Sequence, residues 1–409
     1  MSLDHLFANR TSRMSASEIR ELLKLLDQPD IISFAGGIPD PAYFPRAAFA
    51  DAMAVALSEQ SAGVALQYST SEGYTPLRDW IAAHMATLGV PCSRDNILIT
   101  AGSQQALDYL GKLLIDKGDT ALVGWPTYLG ALGAFNAYEP RYDRLDPSDN
   151  RAPEQITLGA AEAGGRVKFA YLSPDFANPT GITLTQQERR TVLARADALD
   201  CAVIEDAAYQ SLRYDGEALP SILAMEIEQT GDIEACRTIY LGSFSKTLAP
   251  GLRVGWVVAA KPVISQLVLT KQAADLQTAT INQMAVAHVA EAVFDTHVET
   301  LRAVYGRRMH AMLDALSANM PTGVTWIEPE GGMFVWVTLP NGMDAKAVLQ
   351  DALAANVAFV PGGAFYADGS NANTLRLNFS MSSEAKIIEG IARLGAVICT
   401  AMGEVSPRA

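Results

Sequence analysis

Ile19, Leu22, Leu23 and Leu26 recur at helical spacing through ASEIRELLKLLD, residues 16–27, and Ser17 is placed to cap the first turn. The following stretch, ISFAGGIPDPAYFP (32–45), is too rich in glycine and proline for either period and reads as extended or looped chain. Its Gly36-Gly37 pair lets backbone come close to another group. Helical spacing returns over residues 47–60.

From about residue 97 the pattern alternates between strand and helix. Asn96–Thr100 and Ala121–Trp125 read as strands, with a helix over Ser103–Ile115 between them. Val167–Leu172 is a further strand, and Thr185 with Glu188 forms a capping box that opens a helix running through Leu199. Cys201–Glu205 is a continuous apolar strand that ends on acidic residues; Thr238–Leu241 follows, and a returning strand begins at Val254. Apolar strands alternating with helices predict an α/β fold with a mostly parallel sheet covered on both faces. Ligands in such folds sit at the carboxyl ends of the strands. After residue 261 the pattern is helical to about 316. Strands are then expected at Val324–Ile327, Met333–Thr338, Ala358–Val360 and Thr374–Phe379, with helices at 344–355 and 383–400, which makes a smaller α+β unit. There is no internal repeat or low-complexity tract.

Composition narrows the functional classes. A chain of 409 residues holds two or three domain-sized units, and 49% hydrophobic with 19% charged residues is the balance of a soluble globular protein. A net charge of −14 argues against nucleic acid or an anionic membrane as partner, so any anion site must be a local cluster of Arg, Lys and backbone N–H groups. Cys92, Cys201, Cys236 and Cys399 are scattered and, with five dispersed histidines, give no metal signature. They read as reduced thiols. The first twenty residues are polar and lack the apolar core of a secretory signal, and no apolar run approaches the ~20 residues that span a bilayer. A cytoplasmic location is the expectation.

The chemistry-bearing residues follow the strands. TIYLGSFSKTLAPGLRVGW (238–256) reads as strand, polar loop and returning strand, and the loop carries Ser243, Ser245, Lys246 and Arg253. Hydroxyls and an arginine suit a phosphate, and a lysine held beside them can form an imine with a carbonyl ligand. Pyridoxal phosphate (PLP) carries both groups. After Thr100 the turn Ala101-Gly102-Ser103-Gln104 feeds a helix N-terminus, which favours an anion, although it is no dinucleotide fingerprint. Tyr128 follows the strand that ends at Trp125, where an aromatic can stack on a flat ring. Asn178 lies in the turn Asn178-Pro179-Thr180-Gly181. Glu205 and Asp206 end a buried strand, where an acid is costly unless paired, and Tyr209 stands three residues on.

In order and spacing these segments resemble the fold-type I PLP-dependent aminotransferases of class I/II, over nearly the whole chain. S-x-S-K-x-x-x-P-G-x-R-x-G-W, N-P-T-G and E-D-x-x-Y carry the resemblance. SFAGGIPDPAYFP, YSTSEGYTPLRDWI, GSQQALD and KQAADLQT are most similar to the branch containing 2-aminoadipate and broad-specificity 2-oxo-acid aminotransferases. The resemblance implies a large PLP-binding domain over 46–290 with a seven-stranded, mostly parallel sheet, a small domain over 291–409, and an N-terminal arm, 1–45, that joins the small domain in part. It implies that Lys246 holds the cofactor covalently and later shuttles a proton, that Asp206 pairs with the pyridine nitrogen, and that Asn178 and Tyr209 bond the phenolic oxygen. Tyr128 would stack on the ring, and Ser103, Gln104, Ser243, Ser245 and Arg253 would cradle the phosphate. Tyr68 would reach a phosphate across a homodimer interface. Arg376, helped by the Gly37 backbone, would clamp the substrate α-carboxylate, and Arg20 on the first helix would meet a distal carboxylate. The branch usually has Gln where Ala177 stands here.

The implied activity moves the amino group of an aminoadipate, leucine-like or aromatic L-amino acid to a 2-oxo acid such as 2-oxoglutarate by a ping-pong cycle. Two rivals share the motifs. One is a β-lyase. The other is a PLP-binding sensor, like the same domain in regulators that carry a winged-helix DNA-binding domain; none precedes it in this sequence, so an enzyme is expected.

Overall fold

In chain order the strands are β1 (Ile32–Ser33), β2 (Ile97–Thr100), β3 (Thr120–Val123), β4 (Arg141–Arg144), β5 (Val167–Leu172), β6 (Ala202–Asp206), β7 (Thr238–Ser243), β8 (Gly255–Val258), β9 (Thr325–Trp326), β10 (Phe334–Thr338), β11 (Val357–Ala358), β12 (Val360–Pro361) and β13 (Thr374–Asn378). The computed structural model describes residues 3–14, 30–148 and 151–403, so the helix expected over 16–27 and Arg20 lie outside the described residues.

A seven-stranded sheet has the order β2-β8-β7-β6-β5-β3-β4. β8 runs antiparallel to β2 and β7, and the other neighbours are parallel. Helices cover both faces, which is why the strands read as unbroken apolar runs rather than alternating ones. Alternate residues divide between the faces. Leu98, Val123, Tyr171, Ile204, Leu241 and Val257 enter one apolar cluster. Ile97, Ile99, Tyr240, Trp256 and Val258 enter a second, and Leu122, Ala170 and Val203 a third. β4 is absent from the sequence reading. Its residues, RYDR, are polar and partly exposed because it is the edge strand beside β3, so no apolar pattern marks it.

The smaller α+β unit is built on the antiparallel sheet β12-β13-β10-β9. The single strand expected at Ala358–Val360 is two. β11 pairs in parallel with β1, while β12 pairs antiparallel with β13, and Phe359 marks the switch between sheets. β1 thereby ties Ile32 and Phe34 into the same apolar cluster as Leu375, Leu377 and Ile391.

The helical stretch expected from 261 to about 316 breaks into Lys261–Gln272 and the 40-residue helix Thr280–Asn319. At 1.5 Å per residue the second is ~60 Å long and serves both cores. Val286, Val289 and Phe294 pack with the large sheet's cluster, and Leu301, Tyr305 and Met309 with that of the smaller unit. The boundary expected at residue 290 falls inside this helix. The helix expected over 47–60 is Arg46–Ala56. Among the described residues no helix is long and apolar enough to cross a membrane.

Candidate active site

The carboxyl ends of β5, β6 and β7, the turn after β2 and the entry to β8 meet one cavity of about 230 Å³ against the smaller unit. Asp206 ends β6, buried at 5% exposure. Tyr171 on the neighbouring β5 donates its hydroxyl to Asp206 Oδ2 at 2.9 Å, and the Ala208 N–H approaches Oδ1 at 3.4 Å. Burial raises the Asp206 carboxyl above its ordinary pKa, opposed by the Tyr171 bond and by Lys246. Among the described residues it has no ion-pair partner. The preceding residue, Glu205, points to the other face and accepts the N–H groups of Ile222 (2.8 Å) and Leu223 (3.0 Å) at a helix N-terminus.

Lys246 follows β7. Its amine donates to the Gly37 carbonyl at 2.8 Å and lies 5.6 Å from the Tyr209 ring centroid. Burial, and then the positive charge of Arg376, bring its pKa down to about 8, with Asp206 opposing.

Arg376 sits in the middle of β13 between Leu375 and Leu377 and is 1% exposed. Its Nη1 donates to Asn178 Oδ1 at 2.7 Å and its Nη2 to the Ala35 carbonyl at 3.0 Å. Its guanidinium lies 4.2 Å from the Phe334 ring centroid and 5.1 Å from that of Phe365. Its Nε is buried without a hydrogen-bond partner, and among the described residues the guanidinium has no carboxylate. Burial pulls its pKa to about 10, so it stays charged at neutral pH. Asn178 connects it to Tyr209, whose hydroxyl the Asn178 side chain bonds.

The other end of the cavity suits an anion. The helix Ser103–Leu114 opens onto it after Gly102, whose φ of 78° is left-handed. A Cβ at Gly102 would stand 2.6 Å from Arg253 Nη2, so only glycine lets the turn and the guanidinium meet. Arg253 donates to the Ala101 carbonyl at 3.1 Å and has no acidic partner among the described residues. The Ser245 N–H donates to Ser243 Oγ at 3.1 Å, which turns the loop after β7 over the same space. Gln104 Nε2 donates to the Gly130 carbonyl at 2.7 Å, and Tyr128 leans over the cavity with its hydroxyl 3.5 Å from Gln104 Oε1.

The sequence model of the family described as Aminotransferase class I and II matches residues 30–394. The chain belongs to the class I and II aminotransferases. Among its relatives, an aromatic-amino-acid aminotransferase of Thermococcus litoralis is 43% identical over 96% of this chain and 94% of its own. A 2-aminoadipate transaminase of Thermus thermophilus is 43% identical, covering 97% of each chain. A solved α-aminoadipate aminotransferase of Thermus thermophilus, complexed with N-(5'-phosphopyridoxyl)-L-leucine, superposes with a TM-score of 0.87 at 40% identity, covering 98% of this chain and 100% of that one.

This aminotransferase is a fold-type I, PLP-dependent enzyme. Its cavity fits the cofactor on its own geometry. Among the described residues it offers a buried acid without an ion-pair partner, a guanidinium without an acidic partner beside a helix N-terminus, and a lysine amine lining the same space. Gly37, Ser103, Gln104, Tyr128, Asn178, Asp206, Tyr209, Ser243, Ser245, Lys246, Arg253 and Arg376 all line it. Tyr68 does not; it is 80% exposed on the surface. Ser173, Ala208 and Ile38 line the cavity without having been singled out. Tyr171, Phe334 and Ala35 support Asp206 and Arg376 and were likewise missed. A tyrosine in the apolar run VKFAYL was the available signal for the first.

Proposed function

We propose that this aminotransferase moves the amino group of an L-amino acid to a 2-oxo acid, 2-oxoglutarate foremost, by a ping-pong cycle. The observation that carries the reading is Arg376, a buried guanidinium without a carboxylate among the described residues, whose Asn178 partner lines the cavity that also holds the Lys246 amine. Such a charge is costly unless a ligand supplies the anion, and a planar fork suits an α-carboxylate. The substrates named for the relatives support an aminoadipate, leucine-like or aromatic donor.

Bound PLP supplies the electron sink that lets the substrate Cα–H bond break. Lys246 would hold its aldehyde carbon, Asp206 its ring nitrogen, and Asn178 and Tyr209 its phenolic oxygen. Tyr128 would lie against its ring. Ser103, Gln104, Ser243, Ser245 and Arg253 would hold its phosphate, with the N-terminus of the helix Ser103–Leu114 contributing free N–H groups. Arg376 clamps the substrate carboxylate, and the Gly37 backbone closes over it; a Cβ there would come within 3.0 Å of Phe334. With its pKa near 8, Lys246 can accept the Cα proton and return it close to neutral pH.

We also place the active enzyme as a homodimer, with Tyr68 of each subunit projecting toward the other's phosphate, on the strength of its 80% exposure beside the exposed Leu66 and Val64. The four free thiols support a reducing, cytoplasmic location.

The test is an absorbance titration of the PLP-loaded enzyme with single amino acids. A subset should shift the cofactor band to shorter wavelength, and 2-oxoglutarate should restore it. A band that no amino acid shifts, or release of ammonia without an oxo-acid acceptor, would overturn the proposal.

A further inference from the structure

Behind the phosphate end of the cavity lies a cluster that none of the roles above uses. Lys271, near the end of the helix Lys261–Gln272, has a wholly buried side chain. Its amine donates to Asp275 Oδ1 (2.9 Å), Asp275 Oδ2 (3.0 Å) and Gln105 Oε1 (3.1 Å). Gln105 Nε2 donates to Asp275 Oδ2 at 2.8 Å, and the Tyr109 hydroxyl to Asp275 Oδ1 at 3.1 Å. The Gln105 oxygen also accepts the Ala101 N–H at 2.9 Å. Lys271, Asp275 and Gln105 do not line the cavity.

The ion pair decides which way the Gln105 amide faces. A flipped amide would turn its NH2 group against the Lys271 ammonium and the Ala101 N–H, and its oxygen against the Asp275 carboxylate. Only the observed orientation satisfies all three. Gln105 then fixes the Ala101 peptide, whose carbonyl receives Arg253 Nη2 at 3.1 Å and whose successor is the left-handed Gly102. The same segment fastens the Tyr68 loop, since Gln277 Oε1 accepts the Ser69 N–H and the Gln277 N–H donates to the Asp275 carbonyl at 2.7 Å.

We propose that Lys271 and Asp275 are positioning residues for the phosphate cradle, acting through Gln105 on the Ala101–Ser103 turn and on Arg253. The inference rests on the reading that this turn and Arg253 bind the cofactor phosphate. Removing the pair frees the Gln105 amide, so the Ala101 peptide and the guanidinium bonded to it lose their fixed place. The loss falls on phosphate binding and spares the ring end, where Asp206, Tyr209 and Lys246 are held by other contacts.

The test compares PLP with pyridoxal, which lacks the phosphate, binding to the full-length chain stripped of cofactor. Asp275→Asn should weaken PLP roughly tenfold or more and leave pyridoxal within about twofold. Gln105→Ala, which leaves the ion pair in place, should do the same and reads the relay should Asp275→Asn fail to fold. Equal losses for both ligands would show a merely structural role, and no loss for either would remove the relay; each overturns the inference. Arg253→Ala separates it from its premise. If that variant keeps the full preference for PLP over pyridoxal, the phosphate reading itself fails; if it abolishes the preference while Gln105→Ala does not touch it, only the relay fails.

Discussion

Replacing Arg376 by lysine keeps the charge and removes the fork, which isolates what the geometry contributes. In the native site Nη1 and Nη2 are held by Asn178 Oδ1 and the Ala35 carbonyl, and Nε has no partner among the described residues. The guanidinium is therefore fixed in plane, over Phe334 at 4.2 Å, with donor capacity left for a carboxylate. A lysine amine is a point charge and cannot serve Asn178, Ala35 and two carboxylate oxygens together. One charge-assisted hydrogen bond to substrate is lost, worth ~1.5–3 kcal/mol, so kcat/KM for the amino-acid donor should fall roughly ten- to hundredfold. A second signature follows from burial. The same enclosure that brings arginine from 12.5 to about 10 would draw a lysine, which starts near 10.4, toward neutrality. The clamp needs the charged form, so the variant should lose activity as pH rises through a range where the native enzyme does not. The assay is steady-state kcat/KM against pH for an amino acid and for the amine that lacks its carboxylate. Native-like kcat/KM in Arg376→Lys, or an equal loss for amino acid and amine, would refute the carboxylate-clamp reasoning.

Two further outcomes depend on protonation. In the role proposed for Lys246 its neutral form is the nucleophile, and burial brings its pKa down to about 8; the rate at which the cofactor-free chain regains its visible band with added PLP should therefore rise with pH to a plateau with a midpoint near 8, and a midpoint at the ordinary lysine value would refute the assigned burial. Glu205 is fully buried and raised from 4.5 to about 7, so the folded chain keeps a proton that the unfolded chain has lost between those values, and this group makes folding less favourable as pH rises through that window; Glu205→Gln should flatten that part of the stability profile in urea unfolding, and an unchanged slope would assign it to other groups.

The site was legible where chemistry sits on the end of an apolar run, and obscure where it depends on register between strands. Ser243 ends a strand whose residues are all buried, and Ser245 and Lys246 follow it in the turn at the strand's carboxyl end. Arg376 is the plainer case. The family resemblance named it, and the pattern adds that it stands between Leu375 and Leu377 in a five-residue buried strand. The Glu205-Asp206 pair shows the limit. Two adjacent acids on one strand face opposite sides, and composition cannot say which meets the ligand. Only the fold shows that Glu205 is taken up by the N–H groups of Ile222 and Leu223, whereas Asp206 lines the cavity. Tyr171 reaches Asp206 because β5 and β6 pair with Tyr171 opposite Ile204, a register no local pattern encodes. Lys271 is hidden for the opposite reason. On its helix it looks like one more solvated cation, and its burial appears only when Gln105, 166 residues earlier, and Asp275 close over it. A lysine whose desolvation is offset by one carboxylate and one amide is held for what the amide does next, which is to hold Ala101. Residues that touch a ligand thus announce themselves by being polar in apolar surroundings, while those that aim them look ordinary until their partners are known.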